Sequence, residues 1–321
     1  MALLGGGVIG WQFYSFKTQP LIVTVPQVFE VKPGASLAQV AKGLKERGLI
    51  DYPRYMTLWG RIQGTAGQLR MGEYRIEPGM TALTLLEQMV KGQVIQYSLT
   101  IVEGWTYKQM MQAVHGNEKL VHTLKDLPAS EVMTKLGAAG EHPEGRFFPD
   151  TYHFTAGMSD FDFIKRAYDG MTARLEQEWS QRAEELPYKT PYEALIMASI
   201  VERETGVAHE RGEIAGVFVR RLQIGMKLQT DPTVIYGIGE SYDGDIRRSD
   251  LITDTPYNTY TRYGLPPTPI AMPSGEAIHA ALHPLAGTSL YFVAKGDGGH
   301  YFSATLPEHE AAVRHYLLNK Q

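Results

Sequence analysis

The chain has 321 residues, of which 31 are basic and 35 acidic, so its formal net charge is −4. This length is enough for two or more domains with cores of their own, and the absence of a basic run argues against a nucleic acid partner. Cysteine is absent, which excludes disulfides, thiolate metal sites and cysteine nucleophiles and is compatible with a periplasmic location.

The first 16 residues carry no charge and are rich in large apolar and aromatic side chains. A membrane-spanning helix needs about 20 apolar residues, and a signal peptide needs positive charges before its apolar core, so neither pattern is complete. Trp11, Phe13 and Tyr14 directly precede Lys17, which is typical of the aromatic belt at one end of a span. We therefore expect residues 1–20 to be the remnant of one N-terminal membrane anchor; the alternative is an apolar N-terminal strand.

Three stretches share one design, in which extended residues lead into a glycine and then, two places on, into Ser or Thr: 29–37, 74–83 and 100–107. The extended residues predict a strand, the glycine a turn, and the hydroxyl residue the N-cap of a helix: Ser36, Thr81 and Thr106. Residues 24–97 are therefore expected to form a small domain of two such units with a helical insert at 52–67.

The start of this small domain, Lys32-Pro-Gly34-Ala-Ser36, resembles a LysM module, the sugar-binding domain of many cell-wall proteins. A purely structural role is the alternative, because glycine followed by an N-cap is common where a strand leads into a helix. The rest of the chain, 98–321, reads as mixed helix and strand. Helices are expected at about 160–183, 191–205, 210–224, 275–282 and 306–318, and a hairpin at 290–303. The expected fold class is therefore α+β.

A helix with an apolar middle is predicted at 191–205. Thr190 with Glu193 forms a capping box, Pro191 suits the first turn, and Gly206 suits the stop. Because residues 194–201 are apolar or small on every side, the helix should be buried.

Two carboxylates close this helix, and they point in different directions. At about 100° per residue Glu204 continues the stripe of Met197 and Val201, whereas Glu202 points away from it. Burial and the negative end of the helix dipole both raise the pKa of a carboxyl group at this position. Glu204 is therefore a candidate general acid. The alternative is a surface cluster of Glu and Arg making ordinary ion pairs.

A long stretch further along the chain, 228–270, is rich in Tyr, Asn, Gln and Thr and is stiffened by Pro266, Pro267 and Pro269. We expect it to lack regular structure, and a loop of this length and composition is usually functional. Flat rings and hydrogen-bonding side chains suit a sugar. The candidate substrate-binding residues are Gln229, Thr230, Asp231, Tyr236, Tyr257, Asn258, Thr259 and Tyr260. Asp231, which precedes Pro232, has the alternative role of capping a short helix.

These segments together resemble one family. The helix 198–205, the run 228–237, Tyr257-Asn-Thr-Tyr260, Gly264-Leu-Pro-Pro267 and the segment 298–303 look like the MltG (YceG-like) endolytic murein transglycosylases. The resemblance covers nearly the whole chain. It implies an anchor at 1–20, a LysM-like subdomain at 24–97 and a YceG-like catalytic domain at 98–321, with a connecting part at 98–189 and an active-site part at 190–321.

The resemblance also implies an activity. Members cleave the β-1,4 bond from MurNAc to GlcNAc in nascent peptidoglycan strands and leave a 1,6-anhydro-MurNAc end, which terminates strand elongation. They are anchored in the cytoplasmic membrane with the catalytic domain outside, and are thought to act beside cell-wall synthases, the penicillin-binding proteins. The family's catalytic Glu maps to Glu204. No cofactor is implied. A hydrolytic muramidase, with Asp231 or Glu202 recruiting water, and a non-catalytic peptidoglycan-binding scaffold are the alternatives.

Metal and serine chemistry find little support in the sequence. His209-Glu-Arg-Gly-Glu213 lacks the second His of a zinc-protease motif. His279 and His283 have metal-ligand spacing, but the sequence near them offers no third ligand, so no metal site is expected. No Gly-x-Ser-x-Gly or Ser-x-x-Lys motif occurs, which argues against a serine nucleophile.

Overall fold

The computed structural model describes residues 2–318, with side chains from residue 10 onwards. The chain forms two compact units. The first comprises residues up to 98 together with 119–121 and 153–158; the second comprises 99–118, 122–152 and the chain from 159 on. Helices and small antiparallel sheets make up both, so the expected α+β class is confirmed.

The first unit contains four helices and a two-stranded sheet within the described residues: α1 (Ala2–Thr18), β1 (Gln27–Val31), α2 (Leu37–Glu46), α3 (Pro53–Ile62), β2 (Gly72–Ile76) and α4 (Ala82–Lys91). β1 and β2 are antiparallel, with Phe29 opposite Tyr74. Both rings are buried in a core that α2, α3 and α4 cover. Ser36 and Thr81 cap α2 and α4 as predicted.

The N-terminal segment is helical, so the alternative of an N-terminal strand is wrong. In α1, Phe13 contacts the rings of Tyr55 and Trp59 at centroid distances of 5.9 Å, and Phe16 is buried in the core of the first unit. Among the residues that the structure describes, no helix is long and apolar enough to cross a membrane.

The strand β3 (Gln96–Thr100) pairs with β4 (Thr151–Thr155). The second unit then contains most of the helices and a hairpin: α5 (Tyr107–His115), α6 (Ala129–Lys135), α7 (Asp160–Ser180), α8 (Pro191–Glu204), α9 (Arg211–Gln223), α10 (Asp231–Ile238), α11 (Arg248–Ile252), α12 (Gly275–Leu282), β5 (Tyr291–Ala294), β6 (His300–Ser303) and α13 (Leu306–Val313). A short π-helix, Arg314–Leu318, follows α13. The predicted helices at 160–183, 191–205 and 210–224 and the predicted hairpin are present, with ends shifted by a few residues. The helix at 275–282 has the predicted ends, and the helix predicted at 306–318 is divided between α13 and the π-helix.

The centre of the second unit is α8. All eight residues from Ala194 to Val201 are buried, as their apolar character predicts, and α7, α9, α10 and α12 pack around them. The predicted capping box is only half formed. The Thr190 side chain accepts from Glu193 N, but the Glu193 carboxylate accepts from Lys189 N instead of from Thr190 N.

The stretch after α9 is more regular than its composition suggests. We expected an irregular loop from 228 to 270, but α10 and α11 lie within it. Pro232 in the first turn favours α10, because its fixed φ is already that of a helix and its missing N–H is not needed there.

Candidate active site

The start of α10 is placed directly against the end of α8. Thr230 has the extended backbone of an N-cap, but its side chain caps nothing in α10. Its hydroxyl instead donates a hydrogen bond to Oε1 of Glu204, the last residue of α8. A capping hydrogen bond is worth about 1 kcal/mol, so this N-cap forgoes a stabilising contact in order to meet the carboxyl group.

Burial raises the pKa of Glu204 to about 7. The residue as a whole is only partly buried. Its carboxyl group, however, is surrounded by protein, so loss of hydration is the largest effect on its pKa. The negative charge of Asp231 raises the pKa further, while the Thr230 hydroxyl, His300 and Arg221 lower it. Glu204 can therefore exist protonated near neutral pH and ionise readily, as a group that both donates and accepts a proton must.

The backbone before Thr230 adopts an unusual conformation. Gln229 has φ of 50°, in the left-handed region that a residue with a Cβ rarely occupies. Two hydrogen bonds to Thr259 hold it there: Gln229 N donates to the Thr259 carbonyl (3.2 Å), and Thr230 N donates to the Thr259 hydroxyl (3.1 Å). This local strain turns the chain so that Gln229 and Asp231 both reach the Glu204 cavity.

Glu204 opens onto a cavity of about 350 Å³. Asp231 lines it and accepts a hydrogen bond from the Tyr260 hydroxyl (2.6 Å). Burial raises the pKa of Tyr260, and the neighbouring Asp231 carboxylate raises it further, so this phenol is protonated and acts as a donor at neutral pH. The predicted residues Glu204, Gln229, Asp231 and Tyr260 are thus brought together around one space.

Two basic residues of this cavity have no counterpart in the sequence prediction. Arg221 is buried on α9 and donates to the carbonyls of Leu228 and Leu290, both at 2.6 Å. His309 on α13 stacks on Tyr291, and burial lowers its pKa. Arg221 joins the start of the Gln229 turn to the β5 side of the cavity and places a fixed positive charge near Glu204.

Glu202 binds to a different part of the second unit, the start of α12. Its Oε2 accepts hydrogen bonds from the backbone N (3.0 Å) and the hydroxyl (2.5 Å) of Ser274, the N-cap of α12. Arg211 lies 3.8 Å from its other oxygen. Glu202 therefore fixes the start of α12 and is not a lining residue of the cavity at Glu204.

The remaining predicted residues lie elsewhere. Asn258 and Thr259 are buried, and their polar groups form hydrogen bonds within the protein. The Asn258 side-chain amide donates to the carbonyls of Asp250, Leu251 and Thr253. The Thr259 hydroxyl accepts from Thr230 N and is hydrogen-bonded to the Thr233 hydroxyl. The rings of Tyr236 and Tyr257 meet edge to face (4.8 Å) beside a separate cavity of about 660 Å³.

A second perturbed carboxyl group lines that separate cavity. Burial raises the pKa of Glu144 to about 7. Its Oε1 accepts from Tyr107 N (2.8 Å), and its Oε2 accepts from the Tyr236 hydroxyl (3.1 Å). No motif in the sequence distinguishes Glu144; its only local signal is its place just before the aromatic loop at 146–152.

Comparison with known proteins identifies a family to which this chain belongs. The sequence model of the YceG-like family matches residues 29–315, which include every part of the site described above. The chain belongs to the YceG-like family. This confirms the resemblance found in its motifs.

Two named proteins and one solved structure are similar to this chain. A protein named endolytic murein transglycosylase from Bacillus subtilis is 30% identical over 90% of this chain and 84% of its own length. A protein of the same name from Streptococcus pneumoniae is 26% identical over the whole of this chain and 64% of its own length. A crystal structure of a yceG-like protein from Listeria monocytogenes is 28% identical, with a TM-score of 0.58 over 90% of this chain and 99% of that one.

Proposed function

We propose that this YceG-like chain is an endolytic lytic transglycosylase that cleaves the β-1,4 bond from MurNAc to GlcNAc in nascent peptidoglycan strands, leaves a 1,6-anhydro-MurNAc end and so terminates elongation. The observation that carries the proposal is Glu204, a carboxyl group with a pKa of about 7 at the edge of a cavity. The names of the relatives support the same activity.

One such group is enough for both proton transfers. Protonated Glu204 gives its proton to the glycosidic oxygen as the bond from that oxygen to C1 of MurNAc breaks, leaving an oxocarbenium-like centre. The resulting carboxylate takes the proton from the C6 hydroxyl of the same sugar, whose oxygen attacks C1. No water is consumed, and Glu204 returns to its protonated form.

The neighbouring side chains would bind the sugar. We assign Gln229, Asp231 and Tyr260 to contacts in the Glu204 cavity, and Thr230 to orienting the Glu204 carboxyl group through its hydroxyl. Tyr236 and Tyr257 would meet a more distant part of the strand, while Asn258 and Thr259 would hold the turn that carries Gln229.

The second candidate is a hydrolytic muramidase, and Asp231 is the observation that favours it. Its carboxylate lines the same cavity as Glu204 and could recruit a water molecule as the nucleophile. The two reactions differ in their products, because hydrolysis leaves reducing ends. A third candidate, a non-catalytic wall-binding scaffold, gives no role to the raised pKa of Glu204.

We propose that the first unit also binds the glycan strand, through a LysM-like subdomain at 24–97. The Lys32-Pro-Gly34 segment that suggested the LysM resemblance lines a cavity of about 490 Å³, together with Phe29 and Arg47. We further propose an N-terminal anchor in the cytoplasmic membrane, a periplasmic or otherwise extracytoplasmic catalytic domain at 98–321, and cell-wall synthases as partners. The uncharged residues 1–16 support the anchor.

Mass spectrometry of the products tests the proposal. Uncrosslinked glycan strands are treated with the full chain in detergent, with the Glu204→Gln variant as the matched control. Products that end in 1,6-anhydro-MurNAc and are absent with the variant are expected. Reducing ends would favour the muramidase, and intact strands with a folded wild-type protein would favour the scaffold.

A further inference from the structure

Two histidines at the C-terminal end of α12 face a carboxylate on α7. His279 lies on α12, His283 is its C-cap, and Glu178 lies near the end of α7. The two imidazole rings stack at 4.4 Å. The sequence near this pair contains no third metal ligand, because Glu178 is about a hundred residues away in the chain. Folding brings Glu178 next to the two histidines.

The three possible ligand atoms are close enough to bind one ion. Glu178 Oε2 lies 2.9 Å from His279 Nδ1 and 3.8 Å from His283 Nε2, and the three atoms all lie within 4.8 Å of one another. Zinc binds such N and O atoms at about 2.0–2.2 Å with tetrahedral geometry, which places neighbouring ligand atoms roughly 3.4 Å apart. The observed separations bracket this value, so small side-chain rotations would complete three corners of a tetrahedron.

The surroundings fit a metal ligand set. Arg174 lies 3.0 Å from Glu178 Oε1, which fixes the carboxylate and leaves Oε2 facing the histidines. Ligating carboxylates are usually oriented by such outer contacts. The Glu178 side chain is only 10% exposed, whereas that of His279 is 59% exposed. The site therefore has a rigid inner ligand and an open outer side for a water molecule as the fourth ligand.

We propose that Glu178, His279 and His283 bind one Zn²⁺ ion between α7 and α12. Two imidazoles and a carboxylate are a donor set that zinc accepts with a water molecule in the fourth position. The ion would join α7 to α12, two helices that both pack against α8. Because the three ligands come together only in the folded chain, binding stabilises that chain. The proposal does not depend on the proposed enzymatic function.

Isothermal titration of the metal-free full chain with Zn²⁺ tests the site. One ion per chain is expected for the wild type, and at least a tenfold loss of affinity in each of Glu178→Gln, His279→Ala and His283→Ala. Glu178→Gln keeps an oxygen that can accept from Arg174. His315→Ala, which removes an exposed histidine outside the cluster, is the matched control and should bind like the wild type.

Thermal unfolding gives a second readout. With free Zn²⁺ about a hundredfold above its dissociation constant, the unfolding midpoint of the wild type should rise by about 5 °C or more, and that of folded His283→Ala should not respond. Failure of the wild type to bind at 100-fold excess over protein would overturn the proposal. Equal binding by wild type and ligand variants, or loss of binding in His315→Ala, would also overturn it.

Discussion

Glu202 and Glu204, two residues apart at the end of α8, are bound to different partners in the second unit. Glu202 accepts from Ser274 at the start of α12, and Glu204 accepts from the Thr230 hydroxyl at the start of α10. The helical rotation of about 200° between them separates a structural carboxylate from one at the cavity. Substitution should therefore affect them differently.

Glu204→Gln should fold and lose activity. Because the amide cannot supply the proton, we expect kcat to fall by about 10²–10⁴-fold, the usual contribution of general acid–base catalysis. Rates of glycan-strand cleavage, with circular dichroism to verify folding, measure this.

Glu202→Gln is the matched control for that experiment. Its amide oxygen can still accept from Ser274, so we expect kcat within about tenfold of the wild type and a free energy of unfolding lower by about 1–2 kcal/mol. Equal loss of activity in two folded variants would contradict the separation of roles.

The pH dependence of the rate should report the ionisation of Glu204. Its pKa is raised from the ordinary 4.5 to about 7, and the first proton transfer needs the protonated form. The value of kcat should therefore be high below pH 7 and fall about tenfold per pH unit above pH 8. A pH–rate profile over pH 5–9 measures it, with the folded fraction followed at each pH.

A rate that stays constant up to pH 9 would show that this carboxyl group does not supply the proton. A substitution that changes the surroundings gives a further control: Thr230→Val removes a hydrogen bond that favours the ionised form. In that variant the alkaline limb of the profile should move to higher pH.

Glu144 should make the protein less stable as the pH rises. Its pKa in the folded state is about 7, against an ordinary 4.5, so between these values the folded chain binds more protons than the unfolded chain. The free energy of unfolding must then fall as the pH rises through this window, by up to about 3 kcal/mol for this group. Glu204 contributes in the same direction.

Glu144→Gln should remove the part of this pH-dependent fall in the free energy of unfolding that Glu144 causes. Urea unfolding at pH 5 and pH 8 should give a smaller difference between the two conditions than in the wild type. Glu176→Gln, at an exposed position on α7, should leave the difference unchanged. An unchanged difference in Glu144→Gln would mean that Glu144 is ionised in the folded protein at pH 5.

The sequence predicts local structure best where all the interacting groups lie within one short segment. Ser36, Thr81 and Thr106 each cap the helix that follows, because the hydroxyl and the N–H it accepts from are three residues apart. The same logic fails at Thr230, whose hydroxyl bonds to a residue 26 positions away. Periodicity alone could not reveal that contact.

The site shows the same limit. The buried helix and the direction of Glu204 follow from 14 consecutive residues of α8, so both could be read from the sequence. Arg221 and Glu144 could not, since Arg221 donates to the carbonyl of the remote residue Leu290, and Glu144 accepts from the remote residues Tyr107 and Tyr236. An arginine on a helix or a glutamate before a loop is usually exposed, so nothing in the sequence alone indicates that folding buries these two.

Asp231→Asn should distinguish the two proposed reactions. A lytic transglycosylase with Glu204 as its one proton carrier does not need the Asp231 charge, and the Asn oxygen can still accept from Tyr260, so activity within about tenfold of the wild type is expected. A muramidase that uses Asp231 to activate water would lose about 10²–10⁴-fold. Tyr260→Phe, which removes the hydrogen bond that Asp231→Asn keeps, is the control for lost positioning of the residue at 231. Loss in Asp231→Asn much greater than in Tyr260→Phe, with both variants folded, would contradict the lytic mechanism.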